Sequence, residues 1–188
     1  MGLYLLGRYP GVFFMIRTAR IADAEAILEL VNFHAEKGQV LFRSLAGIRE
    51  HIANTVVSVA AGRIVGTCSL KYGWDMMVEI RSLAVDPDRY RQGVASGMVR
   101  EVIARAGRTD HEHIFVLTYA VPLFEKLGFH RVEKAALPLK IWSDCSLCDK
   151  REDCDEIAMV RSLAAKPSEG YPMPKPGKSA AATASLQH

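Results

Sequence analysis

The sequence predicts one α/β (α+β) domain in which a central mixed, mostly antiparallel sheet is flanked by helices. Its 188 residues, 49% hydrophobic and 24% charged, are in the range of a single compact globular unit. Three closely spaced strand patterns predict an antiparallel meander. A strand, helix and strand then follow, and this connection requires a parallel or mixed sheet.

Charge and hydropathy limit the partners. The 24 basic and 21 acidic residues leave a net charge of +3, which gives no electrostatic reason to expect a nucleic acid or a membrane surface. No apolar run reaches the roughly 18 residues of a membrane span, and the Leu3 to Leu6 run is too short for a secretory signal. We expect a cytoplasmic protein with a small-molecule substrate, and a homodimer remains open.

Composition divides the chain into three parts. Four of the eight prolines fall in residues 164–188, a segment with almost no large apolar side chains, so a disordered tail is predicted. A strand pattern begins at Met15, so residues 1–14 are predicted to be an N-terminal extension. The folded domain is expected to be residues 15–163.

Helical spacing and turn residues define the first elements of this domain. Asp23 is expected to cap a helix that Gly38 stops, and Ser44 to begin a shorter helix that ends near His51. Strand patterns follow at residues 56–60, 64–72 and 77–85.

The second half begins with an amphipathic helix from Gly93 to about Ala106, with a Glu101/Arg105 pair on its outer face. A strand at 113–118 and a short helix that ends at Gly128 come next. Final strands are expected at 129–133 and 155–160, with a long cysteine-bearing loop between them.

The loop before the Gly93 helix predicts a phosphate site. A strand enters a loop whose small residues open a helix, so several backbone N–H groups converge at a helix N-terminus. Gly93 and Ala95 leave the backbone approachable, and Arg89 and Arg91 add positive charge. The alternative is a glycine-containing loop that only precedes an amphipathic helix.

The order of elements resembles the GNAT superfamily of acyl-CoA N-acetyltransferases over about residues 15–163. Its most specific parts are Leu83-Ala84-Val85-Asp86-Pro87, Gly93-Val94-Ala95 and Phe124-Glu125-Lys126-Leu127-Gly128-Phe129. The resemblance implies the GNAT fold and acetyl-CoA as cosubstrate. The superfamily loop usually reads Q/R-x-x-G-x-G/A, and here Tyr90 occupies the Q/R position, which removes a side-chain contact but leaves the backbone donors.

The same resemblance implies how the cofactor is held. The backbone of Leu83 and Val85 should pair with the pantetheine arm like an added strand, and an N–H near Leu83 or Ala84 should polarise the thioester carbonyl. The pyrophosphate should lie in a backbone cradle made of Arg91, Gln92, Gly93, Val94, Ala95 and Ser96.

A narrower resemblance is to the short N-acetylglutamate synthases. Its residues are 46–52, 78–85, 117–119, 140–145 and 154–160. It implies acetylation of the α-amino group of L-glutamate, the first step of arginine biosynthesis, by direct attack on the thioester in a ternary complex. There are two alternatives. The acceptor could be another amino acid such as glutamine or a small amine, or the protein could be a non-catalytic acyl-CoA-binding module.

Two residues are candidates for proton transfer. Glu79 stands four residues before Leu83, where many relatives keep a carboxylate base; the alternative is an exposed strand carboxylate. Phe124 occupies the position of the superfamily's usual tyrosine acid, so Tyr119 is the nearest substitute, or else a core aromatic.

Three cations are candidates for binding the two carboxylates of glutamate, because arginine holds carboxylates in bidentate fashion. Arg43 precedes the Ser44 helix, Arg81 shares a strand face with Glu79, and Lys71 is a weaker third. For each, a solvated surface charge is the alternative, and Arg81 could instead pair with Glu79.

The cysteine loop leaves its chemistry open. Cys145, Cys148 and Cys154 supply three thiols, whereas structural zinc needs four ligands, so His130, Asp144 or Asp155 would have to complete a site. No second C-x2-C is present, and we expect reduced thiols and no metal.

Overall fold

The computed structural model describes residues 5–9, 12–73, 76–137 and 154–163, and eight strands in this part of the chain form one sheet. The order across the sheet is β1-β2-β3-β4-β5-β6-β8-β7, and only the β5–β6 pair is parallel. The strands are β1 (Leu5–Tyr9), β2 (Val12–Thr18), β3 (Thr55–Ala60), β4 (Arg63–Tyr72), β5 (Met77–Val85), β6 (His113–Thr118), β7 (His130–Arg131) and β8 (Ile157–Ser162).

Helices cover both faces of this sheet. They are α1 (Ala24–Ala35), α2 (Leu45–Glu50), α3 (Val94–Ala106) and α4 (Val121–Glu125). Val56 packs in the apolar cluster of α3, whereas its neighbour Val57 packs in the cluster of α1 and α2. Because successive side chains of a strand point to opposite faces, α3 lies on one side of the sheet and α1 and α2 on the other.

The predicted fold class, the β3–β5 meander and the parallel crossover through α3 are confirmed. The sheet begins earlier than the pattern at Met15 indicated, because β2 starts at Val12 and pairs with β1. It therefore extends into the segment that the sequence set apart as an N-terminal extension. At the other end, β7 is shorter than predicted, and β8 begins at Ile157 and ends at Ser162.

One predicted cap is confirmed and one is corrected. The Ser44 hydroxyl accepts a hydrogen bond from the Gly47 N–H at 3.1 Å and so caps α2. Asp23 stands at the N-cap of α1, but its side chain makes no cap hydrogen bond there. Its carboxylate instead accepts from the Arg20 backbone N–H and pairs with Arg17 at 2.6 Å, so it closes the turn ahead of α1.

The Glu101/Arg105 pair forms, but its predicted place on the outer face of α3 is wrong. Glu101 is 3% exposed, and its Oε1 accepts from Arg105 Nε at 2.8 Å. Arg105 Nη2 also donates to the Thr18 hydroxyl at 3.0 Å. The pair therefore ties α3 to β2, which a helical period alone does not reveal.

Several sequence expectations concern residues that are not described. Cys145, Cys148 and the tail 164–188 lie outside the described residues. Within the described ranges, no three His, Cys, Asp or Glu side chains are grouped as metal ligands. None of the described helices has the length and apolar character needed to traverse a bilayer.

Candidate active site

A cleft opens where the parallel pair of strands separates. Pairing between β5 and β6 runs from Met77 and His113 to Ile80 and Val116 and then stops. Beyond that point a cavity of about 830 Å³ lies between residues 81–85 of β5, the end of β6 and the N-terminus of α3. The sheet itself therefore creates the site, by ending one row of its hydrogen bonds.

A β-bulge shapes the cleft wall in β5. The register moves from Ser69 opposite Arg81 to Thr67 opposite Ala84, so Ser82 and Leu83 together face one β4 residue. Ser82 has a φ of 51°, in the left-handed region. The extra residue keeps Ala84 on the face that carries Arg81, where simple alternation would put it on the other.

The free edge of β5 faces the cleft. The Asp86 N–H donates to the Val65 carbonyl at 2.9 Å, and the next pair along the ladder is Gly66 with Val85. Because an antiparallel ladder alternates bonded and non-bonded pairs, the N–H and C=O of Val85 point away from β4. On this edge the Val85 carbonyl accepts a hydrogen bond from His34 Nε2 at 2.9 Å.

The predicted phosphate loop contains two left-handed residues just before α3. Arg91 has a φ of 60° and Gly93 a φ of 79°, and α3 begins directly afterwards at Val94. Left-handed residues next to a helix N-terminus are typical of loops whose N–H groups converge on an anion. Five of the six predicted cradle residues line the cleft: Arg91, Gly93, Val94, Ala95 and Ser96. Gln92 does not, and its side-chain amide donates to the Asp88 carbonyl at 2.9 Å.

The opposite end of the cleft collects charged side chains. Glu79 and Arg81 come from β5, and Arg43 comes from the loop before α2. Of the predicted substrate-binding residues, all of which the structure describes, Lys71 alone does not line the cleft. It lies opposite Glu79 in the β4–β5 register. Asp155 and Glu156, just before β8, also line the cleft.

Asn32 of α1 fixes the loop that carries Arg43. Its side chain accepts from the Arg43 N–H at 3.0 Å and donates to the Arg43 carbonyl at 3.2 Å. The Arg43 Nε then reaches the Ser82 hydroxyl at 3.4 Å. The guanidinium is thus held beside the bulge of β5.

Tyr119 is at the cleft and not in the core. It is 42% exposed, so the core-aromatic interpretation is wrong, and its hydroxyl donates to Asp155 Oδ1 at 2.5 Å. This hydrogen bond and partial burial raise the pKa of the phenol above its ordinary value. Phe124 is fully buried and packs edge-on against Phe129 with ring centroids 5.2 Å apart.

Comparison with known proteins identifies the family. The sequence profile of the Acetyltransferase (GNAT) family matches residues 24–129, more than half of the chain. The chain belongs to the GNAT acetyltransferase family. It is an acyl-CoA-dependent N-acetyltransferase that uses acetyl-CoA, and its fold agrees with that of solved members.

Two bacterial acetyltransferases are similar to this chain along most of their length. This acetyltransferase is 38% identical over 148 residues to an uncharacterized N-acetyltransferase of Chlorobaculum tepidum, covering 79% of this chain and 96% of that one. It is 28% identical over 133 residues to an amino-acid acetyltransferase of Mycobacterium tuberculosis, covering 69% and 76% respectively.

One solved structure with a similar fold contains a bound cofactor and a bound product. The N-acetylglutamate synthase of Neisseria gonorrhoeae, complexed with coenzyme A and N-acetyl-glutamate, superposes with a TM-score of 0.73 at 25% identity. The match covers 81% of this acetyltransferase but only 35% of the synthase chain. The similarity therefore concerns one part of the larger protein.

Sequence reasoning missed the hydrogen bonds of three residues at the site of this acetyltransferase. Asn32 and His34 are on α1, and both act through hydrogen bonds to backbone groups far along the chain. Asp155 meets Tyr119 across 36 residues. An asparagine or histidine within a helix carries no local signal for such a partner, because the contact depends on how the helix packs on the sheet.

Proposed function

We propose that this acetyltransferase transfers the acetyl group of acetyl-CoA to the α-amino group of L-glutamate, the first step of arginine biosynthesis. The observation that carries the proposal is the placement of Arg43 and Arg81 with Glu79 in one cleft. Glutamate brings two carboxylates and one amine, and these side chains complement all three groups. The amino-acid acetyltransferases and the synthase among the relatives support this choice of acceptor.

The cofactor would lie along β5 and end at α3. Its pantetheine arm pairs with the free edge at Leu83 and Val85, and its pyrophosphate occupies the cradle of residues 91–96. Tyr90 lines the cleft and is 49% exposed. Burial raises the pKa of this phenol, so it stays protonated and can donate a hydrogen bond to a phosphate oxygen in place of the usual Gln or Arg.

The acceptor would enter from the charged end of the cleft. Arg43, held beside the β5 bulge, binds one carboxylate, and Arg81, on the face shared with Glu79, binds the other. Lys71 lies outside the cleft and is not part of this clamp. The amine of the acceptor then faces Glu79, close to the point where the thioester leaves the β5 edge.

Transfer would proceed by direct attack in a ternary complex. Glu79 takes a proton from the ammonium, directly or through water, and the free amine attacks the thioester carbonyl. The N–H of Leu83 in the bulge stabilises the developing oxyanion, because the ladder directs the groups of the neighbouring Ala84 toward β4. The C–S bond breaks to release the CoA thiolate, which with a thiol pKa of about 8.5 is a tolerable leaving group, and the second proton of the new amide nitrogen is lost to water or to the thiolate.

A thiol-release assay across an amino-acid panel tests the proposal. With acetyl-CoA saturating, kcat/KM should be highest for L-glutamate and at least about tenfold lower for glutamine, which lacks the second negative charge. If kcat/KM is higher for glutamine or for an uncharged amine, that compound would take the place of glutamate in the assignment. Binding of CoA with no release of thiol on any acceptor would indicate a non-catalytic acyl-CoA-binding module.

A further inference from the structure

His34 is a buried polar residue in the cleft to which the reaction above gives no role. It lies in the last turn of α1 with 4% of its surface exposed, and it lines the cavity. Its Nε2 is 2.9 Å from the Val85 carbonyl oxygen, and its Nδ1 is 2.7 Å from the side-chain oxygen Oε1 of Gln39. Both ring nitrogens are thus engaged.

The direction of the first hydrogen bond is fixed by chemistry. A carbonyl oxygen can only accept, so Nε2 carries a proton and donates it to Val85. The alternation of the β4–β5 ladder directs this carbonyl away from β4, toward the edge of β5 that faces the cleft. His34 therefore occupies one of the hydrogen-bonding groups on the edge where the pantetheine arm is placed.

Packing gives α1 no need for this hydrogen bond. The helix is already anchored to the sheet by fully or nearly fully buried apolar side chains, Ala24, Ile27 and Val31. An imidazole buried at this depth among such residues costs free energy unless its polar atoms are satisfied. Its contact with a cleft-facing backbone group points to a role in the site.

We propose that His34 is a positioning residue for acetyl-CoA, which sets the register in which the pantetheine arm pairs with β5. By donating to the Val85 carbonyl, His34 competes with the arm for this acceptor, and it favours the register in which the amides of the arm use the Val85 N–H and the groups of Leu83. Without His34, that carbonyl would accept from an arm amide, and the arm would bind in competing registers. The thioester would then be displaced from the bulge of β5 and from Glu79.

The proposal rests on the arm lying along β5, and a pair of ligands tests it. CoA carries the arm, whereas adenosine 3′,5′-bisphosphate carries only the nucleotide end. Calorimetry on His34→Leu, which keeps much of the volume but has no donor, should show CoA affinity weakened by about tenfold. Affinity for the bisphosphate should stay within about twofold of the unchanged chain.

Rescue and control variants separate positioning from folding. His34→Gln places an amide N–H within reach of the Val85 carbonyl and should recover most of the CoA affinity. His130→Leu, which removes an exposed histidine on β7 outside the cleft, should change neither affinity. If His34→Leu does not fold, Gln39→Leu is the second variant, and it should give a smaller loss that is again confined to CoA.

Three results would overturn the proposal: unchanged CoA affinity in a folded His34→Leu protein, equal losses for both ligands, or no difference between the Gln and Leu variants. These measurements need no acceptor, so an error in the glutamate assignment would leave them intact. If the arm does not follow β5, His34→Leu should affect CoA no more than the bisphosphate.

Discussion

The two ends of the cleft are built in different ways. The end proposed for the cofactor consists of backbone groups from two short continuous segments, residues 83–85 and 91–96. The acceptor end consists of side chains from separate elements, with Glu79 and Arg81 on β5, Arg43 before α2 and Asp155 before β8. Backbone donors do not depend on the identity of a side chain such as Tyr90, whereas one substitution at the other end can change the acceptor.

The largest expected effect is at the acceptor end, at the base. Glu79→Gln should lower kcat by about 10²-fold or more, because the amide cannot take the proton from the ammonium. It should also flatten the acidic limb of the pH profile, and the KM for acetyl-CoA should change little. Steady-state kinetics from acid to alkaline pH measure both. An unchanged kcat would show that Glu79 is not the base and is only a carboxylate on the surface of a strand.

The backbone end should respond to shape. Gly93→Val places a branched side chain at a φ of 79° where the backbone must approach the pyrophosphate, and it should weaken acetyl-CoA binding by at least about tenfold. Gly62→Val is the matched control, because Gly62 has a φ of 76° with open space around it, in the β3–β4 turn.

Both glycine variants carry similar backbone strain, and thermal melting should show comparable destabilisation. Only the Gly93 variant should lose CoA affinity by calorimetry. Equal CoA affinity in the two variants would mean that the loop is not the cradle.

The contrast between the ends also explains what the sequence could predict. The loop and the helix after it follow from a local order of strand, glycine loop and helix, and five of the six residues that the family resemblance named there line the cleft. The bulge at Ser82 and Leu83 could not, because strict alternation is the only expectation that a strand pattern supplies. The hydrogen bonds of Asn32 and His34 depend on the packing of α1, and Lys71 fell outside the cleft because its strand lies one position away from the opening.

The two arginines should produce a smaller effect that is specific to the acceptor. Arg43→Ala or Arg81→Ala should raise the KM for glutamate by about five- to tenfold and leave the KM for acetyl-CoA nearly unchanged, since a carboxylate clamp acts in ground and transition states alike. Both side chains are only partly buried, so the effect is below that of a fully buried ion pair. Arg63→Ala, at an exposed arginine outside the cleft, is the control.

An acceptor comparison sharpens this experiment. Each arginine variant should lose less with an amine that has no side-chain carboxylate than with glutamate. Identical losses for both acceptors would show that neither arginine binds a carboxylate, and the broader assignment as an amine acetyltransferase would then replace the glutamate assignment.

The smallest effect is expected at Tyr119, the sequence candidate for the general acid. Its hydroxyl donates to Asp155, and that hydrogen bond raises the pKa of the phenol above its ordinary value of about 10. A thiolate whose conjugate acid has a pKa near 8.5 is too weak a base to take this proton, and the transfer would leave a phenolate beside a carboxylate.

Tyr119→Phe should therefore lower kcat by less than about threefold and leave the alkaline limb of the pH profile in place, because a phenol with a raised pKa stays protonated below pH 10 in the unchanged chain. Asp155→Asn, which keeps a hydrogen-bond acceptor for the hydroxyl but removes the charge that opposes its ionisation, is the comparison variant. A loss of about 10²-fold in the Phe variant, with acetyl-CoA and acceptor KM values unchanged, would make Tyr119 the acid after all. It would also show that the hydrogen bond between Tyr119 and Asp155 opens when the cofactor is bound. Tyr119, a side chain at the acceptor end, would then donate a proton to the CoA thiolate held at the other end of the cleft.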